Sequence, residues 1–161
     1  MSEIKKSEIL TESGTNELEI IEFHLHKILP NGGHKVCHYG INVAKVREVI
    51  RVPETSDYPN AQPHMVGVFS LREKLIPLVD LAGWLGISTP EDLTHKVVIV
   101  TDFNKMINGF LIDSVRSIHR VSWEQVESPS QFLEAGENDC VVAVVRRDGM
   151  LIMILDFEKI I

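Results

Sequence analysis

From Met65 to Gly86 the chain reads MVGVFSLREKLIPLVDLAGWLG, two apolar runs around a charged tip followed by a helix signal. Val66 and Val68 alternate with Gly67, Phe69 and Leu71, while Leu75, Ile76, Leu78 and Val79 form a run typical of a strand buried on both faces. Arg72, Glu73 and Lys74 mark the turn. Asp80 offers a carboxylate to the free backbone N–H groups of a helical first turn, and Gly86 suits the left-handed stop position. The pattern predicts strand, tight turn, strand and short helix.

The same pattern returns in Val142 to Ile161, VAVVRRDGMLIMILDFEKII. Laid without a gap over Val66 to Leu85, it places Leu151-Ile152 on Leu75-Ile76, Asp156 on Asp80 and Asp148 on Arg72. Upstream, YGINVAKVREVIRV (Tyr39 to Val52) overlays NGFLIDSVRSIHRV (Asn108 to Val121), with Gly40 on Gly109 and Val46 on Val115. Two overlays in the same order point to a duplicated unit, each copy too small to bury its apolar surface alone and packed with the other over one core.

The other elements follow from the same periodicities. Ile21, Phe23 and Leu25 alternate with Glu22, His24 and His26, which predicts a half-buried strand with its histidines outward. Pro30 to Gly33 is a turn, and Val36 to Val43 is the returning strand. Asn42 is placed to cap a short helix over Val43 to Ile50, with Val43, Val46, Val49 and Ile50 on one face and Lys45, Arg47 and Glu48 pointing away. Glu54 to Pro63 reads as a crossing loop, Lys96 to Phe103 as a strand, and Met106 to Ile112 and Ser117 to Val121 as its continuation, with Ser122 capping a turn at Trp123. Glu127 to Asn138 is a polar link, and Asp148-Gly149 turns the last hairpin. Residues 1–16 read as a flexible arm. Many short strands and brief helices predict a mainly β fold of small antiparallel barrels.

A chain of 161 residues suits one ordinary domain or two small fused ones. Its 23 acidic against 16 basic residues, a net charge of −7 without a basic stripe, argue against nucleic acid or anionic lipid as the main ligand. No apolar run is long enough to span a bilayer and no signal-peptide region opens the chain, so a soluble, intracellular protein is expected. Only Cys37 and Cys140 are present, without paired spacing, which fits a reducing compartment.

Candidate chemistry is sparse. His24, His26, His34, Cys37 and His38 invite a metal reading, but alternation splits them between faces, whereas a metal site needs convergent ligands. Solvated strand histidines and a packed thiol are the better reading, and no metal or cofactor is expected. There is no nucleophile elbow, zinc helix, dinucleotide fingerprint or phosphate loop, so catalysis is not expected. Arg72, after Leu71 at the hairpin tip, either presents its planar fork to a partner's carboxylate or is a surface arginine with its stem over apolar atoms. Glu48 reads as an exposed carboxylate.

The segments YGINVAKVREVI, VGVFSLREKLIPLVDL, KVVIVTDFNKMINGFLIDSV and MLIMILDFEKII resemble, in order and spacing, the CheW-like domain of bacterial chemotaxis, over nearly everything from Glu17 to Ile161. The opening ILTESGTNELEIIEF is most similar to the N-terminal coupling domain of the CheV branch, where such a domain is fused to a receiver domain. No receiver is present in this sequence, and the end at Ile161 within a predicted helix reads as a cut at a domain boundary. The resemblance implies two intertwined five-stranded SH3-like barrels around a shared core, and a non-catalytic adaptor. Its partners would be the cytoplasmic tips of chemoreceptors, the regulatory domain of the histidine kinase CheA and other CheW-like domains. It would sit in the cytoplasm at membrane receptor arrays without inserting into the bilayer. By position, Val46, Glu48 and Arg72 match family residues implicated in receptor binding, and Leu71 joins them at the tip. Glu73 departs from the family, which usually has Gly after the arginine, and a side chain there resists a left-handed turn. A metal-binding hairpin protein and a self-assembling β-barrel module are the alternatives.

Overall fold

The computed structural model describes residues 17–59, 63–90, 92, 95–129 and 140–160. The N-terminal arm expected over 1–16 and most of the polar link before Asn138 lie outside the described residues. The strands in chain order are β1 (Glu17–Ile28), β2 (His34–Asn42), β3 (Val46–Arg51), β4 (Met65–Leu71), β5 (Lys74–Asp80), β6 (Val97–Phe103), β7 (Met106–Ile112), β8 (Ser114–Ser122), β9 (Val126–Glu127), β10 (Val141–Arg147) and β11 (Met150–Leu155). The helix α1 (Leu81–Trp84) is a single turn, and 3-10 turns occupy Val43–Lys45, Trp123–Gln125 and Phe157–Ile160. The protein is mainly β, as its periodicities predict. One sheet has the order β8-β1-β2-β11-β10-β9 and the other β3-β6-β7-β5-β4. Each sheet has five substantial strands; the sixth member of the first, β9, is two residues long.

The duplication is realised element by element. The tip Arg72-Glu73 falls on the tip Asp148-Gly149, and α1 falls on the turn Phe157–Ile160. Upstream, β2 and β3 with the break at Val43–Lys45 match β7 and β8 with their break at Asp113. The pairing then crosses over. β5 runs parallel to β7 with Leu78 opposite Gly109, and β11 runs parallel to β2 with Ile154 opposite Gly40, which are equivalent pairs in the two copies. The hairpin of each copy is therefore completed by the upstream strand of the other.

The chain divides into two compact units, one drawn from Met1–Phe23, His38–Ala44 and Arg116–Ile161, the other from His24–Cys37 and Lys45–Val115. Each unit contains a buried apolar cluster. In the first unit Leu18, Ile20, Val121, Val126, Val142, Ala143, Val145, Ile152 and Ile154 pack together, with Trp123 against them. In the second, Phe69, Ile76, Leu78, Val98, Val100 and Leu111 are joined by Ile50, Val52, Leu71 and Ile107.

Two local expectations are corrected. The helix predicted over Val43 to Ile50 survives only as the 3-10 turn, where the Asn42 Oδ1 accepts the Ala44 N–H at 2.9 Å; from Val46 the chain is strand. Along β3, Val46, Glu48 and Ile50 are half-buried and Arg47, Val49 and Arg51 exposed, so the period is two, and β6 supplies the backbone partners. Six residues fit either period, and β-branched side chains together with an available sheet edge decide for strand. The histidine at 24, expected to face outward, is buried, as is Glu22, because from Ile20 to Leu25 both faces of β1 are covered.

The capping signals hold with one difference. Gln125 Oε1 accepts the Ser122 N–H at 2.9 Å, and Gly86 stops α1 at φ +75°. Asp80 occupies the N-cap position, but its carboxylate makes no capping hydrogen bond.

Candidate functional site

The candidate residues Val46, Glu48, Leu71 and Arg72 all belong to the second unit. β3 and β4 stand at opposite ends of its sheet. The segment after β3 nonetheless returns to β4, where Ser56 and Val68 exchange backbone hydrogen bonds of 2.8 and 2.9 Å. Gly67 makes this approach possible, since a Cβ there would lie 2.5 Å from the Ser56 carbonyl oxygen. The sheet thus curls until its ends approach, and side chains on β3 come within reach of the β4–β5 tip.

That curl forms the site. Arg72 Nη2 donates to Glu48 Oε2 at 2.9 Å, joining β3 to the hairpin tip. The Arg72 side chain is 60% exposed and that of Glu48 22%. A pair this open to solvent contributes about 0.2–1 kcal/mol to stability. Its stronger effect is geometric, because a guanidinium held on one carboxylate keeps a fixed direction with donors to spare. Beside it lies a groove of about 170 Å³, lined by Arg47, Leu71, Arg72, Lys74, Ile76 and Ile107. Its apolar floor is continuous with the core of the unit, since Ile76 belongs to the buried cluster and Leu71 and Ile107 pack against it. Arg47 is held by Asp102 at 3.1 Å.

Of the four residues taken from the sequence, Leu71 and Arg72 line the groove, Glu48 positions Arg72, and Val46 lies half-buried in β3 opposite Thr101 without lining it. Arg47, Lys74, Ile76 and Ile107 were not anticipated. Ile76 and Lys74 sit in the motif that carries the family resemblance and could have been read from it. Ile107 has no local signal, because it reaches the groove only through the parallel pairing of β7 with β5.

Glu73 stands where the resemblance leads to an expectation of Gly, and the turn keeps the left-handed geometry. Arg72 and Glu73 have φ of +49° and +68°, the two positive values that a two-residue type I′ hairpin needs. The other short tips do the same, with Asn104-Lys105 at +51° and +62° and Asp148-Gly149 at +51° and +77°. Closure of the hairpin on both sides imposes the turn against the residue's own preference. Replacing Glu73 by Gly is therefore expected to stabilise the protein by roughly 0.5–1 kcal/mol. Thermal unfolding checks this, with a rise in Tm of about 1–4 °C expected; a fall would show that Glu73 makes a compensating contact.

Comparison with known proteins places these features in context. Residues 32–161 match the model of the CheW-like domain. The chemotaxis protein CheV3 of Helicobacter pylori is 38% identical over 151 residues, which are 91% of this chain and 48% of that protein, so the chain spans about half of CheV3. The chemotaxis protein CheW of Thermotoga maritima is 32% identical over 120 residues, covering 74% of this chain and 78% of that protein. Among solved structures, the scaffolding protein TtCheW of Thermoanaerobacter tengcongensis superposes with a TM-score of 0.73 at 21% identity, covering 86% of this chain and 88% of that one, and shares its fold. No helix among the described residues is long and apolar enough to cross a membrane. With the family model matched over most of this chain and the fold shared, the chain belongs to the CheW-like domains.

Proposed function

We propose that this domain couples the cytoplasmic tips of chemoreceptors to the regulatory domain of the histidine kinase CheA, as the N-terminal module of a CheV-type protein, in the cytoplasm at receptor arrays. The observation that carries the reading is the Arg72–Glu48 pair beside the groove of Leu71, Ile76 and Ile107. An apolar floor with a cationic rim suits an amphipathic helix that carries carboxylates beside its apolar stripe, a helix-in-groove contact. Burial of a few apolar side chains would supply most of the affinity, and Arg47, Arg72 and Lys74 would set the orientation. Other CheW-like domains remain candidate neighbours through the remaining barrel surfaces.

The test is calorimetric titration of a receptor-tip fragment into the wild-type domain and into Arg72→Ala. Loss of the arginine is expected to weaken binding at least about tenfold, the range of a charge-assisted contact at an interface. Tm should move by no more than about 2–4 °C, because an exposed pair contributes little to folding. Unchanged affinity would remove Arg72 from the site. Failure to capture either the receptor tip or the kinase regulatory domain, with self-association alone observed, would replace the coupling reading by the self-assembling one.

A further inference from the structure

The groove beside Arg72 lies where the core of the second unit opens at its hairpin tip. On the core side of the sheet, β5 presents Leu78, then Ile76, then Lys74, since alternate residues of a strand share a face. β4 follows in step, with Phe69 opposite Ile76 and Leu71 opposite Lys74. In the parallel register that sets Leu78 opposite Gly109, Ile107 of β7 comes beside Ile76. The apolar column of β5 therefore ends in an exposed ammonium. Three cations line the groove, and two of them are already held, Arg72 by Glu48 at 2.9 Å and Arg47 by Asp102 at 3.1 Å. No carboxylate among the described residues pairs with Lys74. The other copy of the repeat shows that the fold does not need this charge. The overlay that sets Asp148 on Arg72 sets Met150 on Lys74, and Met150 pairs with Arg147 beside its tip as Lys74 pairs with Leu71.

We propose that Lys74 is the specificity-determining residue of this groove, selecting a partner helix that carries a carboxylate three or four positions from the apolar side chain it seats against Ile76 and Ile107. The inference rests on the helix-in-groove reading and adds to it the place of the acidic group. Two residues of strand separate Ile76 from Lys74 by roughly 6–7 Å. Side chains three or four apart on a helix stand about 5–6 Å from one another. A helix laid along β5 with one apolar side chain on Ile76 thus brings an acidic neighbour at that spacing to the Lys74 ammonium, whose flexible stem takes up the difference. Arg72 and Arg47 keep fixed directions but are largely neutralised by carboxylates of this chain, so a partner's charge is felt most at Lys74. An apolar or basic residue at the same helix position leaves the ammonium partly desolvated and unpaired, which disfavours that partner.

The experiment is calorimetric titration of a receptor-tip fragment into this chain and into its Lys74→Met, Lys74→Arg and Lys74→Glu variants, at low and at high salt. Lys74→Met, which copies the residue of the other repeat, is expected to weaken binding about five- to tenfold and to flatten its salt dependence, with Tm unchanged. Lys74→Arg should keep the wild-type affinity within about twofold, because a long cation still meets the carboxylate, and Lys74→Glu should lose at least about fiftyfold. Among single Asp→Lys and Glu→Lys variants of the fragment, one should bind the Lys74→Glu chain better than it binds the wild type. The acidic residue it replaces should lie three or four positions from an apolar residue whose truncation to alanine also weakens binding. Binding by the wild type with equal affinity and equal salt dependence in Lys74→Met overturns the role of Lys74 and leaves the groove reading standing, as does the lack of any charge-swapped fragment that restores Lys74→Glu. Failure of the wild type to bind the fragment overturns both.

Discussion

Asp113→Ala is expected to destabilise the domain by about 3–5 kcal/mol, the cost of leaving one member of a buried ion pair without its partner. Asp113 sits at the break between β7 and β8, and its Oδ1 lies 3.5 Å from Lys96 Nζ, with the two side chains only 10% and 9% exposed. Its other oxygen accepts the His26 N–H at 2.6 Å, so the carboxylate also satisfies a backbone donor of β1. Removing it leaves the ammonium with the Thr89 hydroxyl, 3.2 Å away, as its remaining described partner, and leaves the His26 amide without its acceptor. Urea unfolding measures the loss directly, and Tm should fall by roughly 6–20 °C. The double variant Asp113→Leu/Lys96→Met should be more stable than either single one, because no buried charge is then left uncompensated. A loss below about 1 kcal/mol with simple additivity would show that solvent reaches the pair after all.

The second large effect is expected at Gly109. A Cβ at this position would lie 2.8 and 3.0 Å from two atoms of the Phe69 ring and 2.9 Å from Val98 Cγ1. Phe69 and Val98 both belong to the core of the second unit, and an aromatic ring cannot fold away as an aliphatic tip can. Gly109→Ala should therefore cost about 1–3 kcal/mol, the usual range for overpacking, and Gly109→Val more. The equivalent substitution in the other copy, Gly40→Ala, is expected to be milder. There the nearest atom, at 2.8 Å, is the Cδ1 of Ile154, the end of a flexible side chain. Pairing Gly109→Ala with Phe69→Leu should recover part of the loss. Equal costs at the two glycines, or no recovery, would refute the packing account.

These glycines illustrate how far the chain could be read in advance. Their equivalence was visible as an overlay of two stretches, but not the reason for it, which is that each marks where a strand of one copy passes closely over the hairpin of the other. The hairpin tip, the apolar runs of β4 to β7 and the turn at Asp148-Gly149 were legible because alternation and turn chemistry act over a few neighbouring residues. Val46 to Ile50 was misread because β-branched and charged residues in so short a run satisfy a helical and an extended period alike, and only β6 decides between them. Glu22 and His24 were misread as solvated because alternation says that two faces differ, not that one of them is wet.

The candidate site divides the same way. Arg72 and Leu71 could be singled out from their place at a tip, and Glu48 from family position. That Glu48 holds Arg72, across 24 positions of sequence, follows only from the curl of the sheet. Likewise His119 meets Glu22 across 97 positions, beyond the reach of any spacing rule.

By itself, then, the amino-acid order determined a duplicated, mainly β chain with its strands, its tight turns and an arginine at one tip, since all of these are set by side-chain period and backbone preference over short distances. The tertiary structure alone decided which strands cross from one copy to the other, which carboxylate each cation or imidazole meets, and which polar residues lie buried. Those outcomes depend on how apolar faces find cover, a property of the whole packing that no single stretch carries.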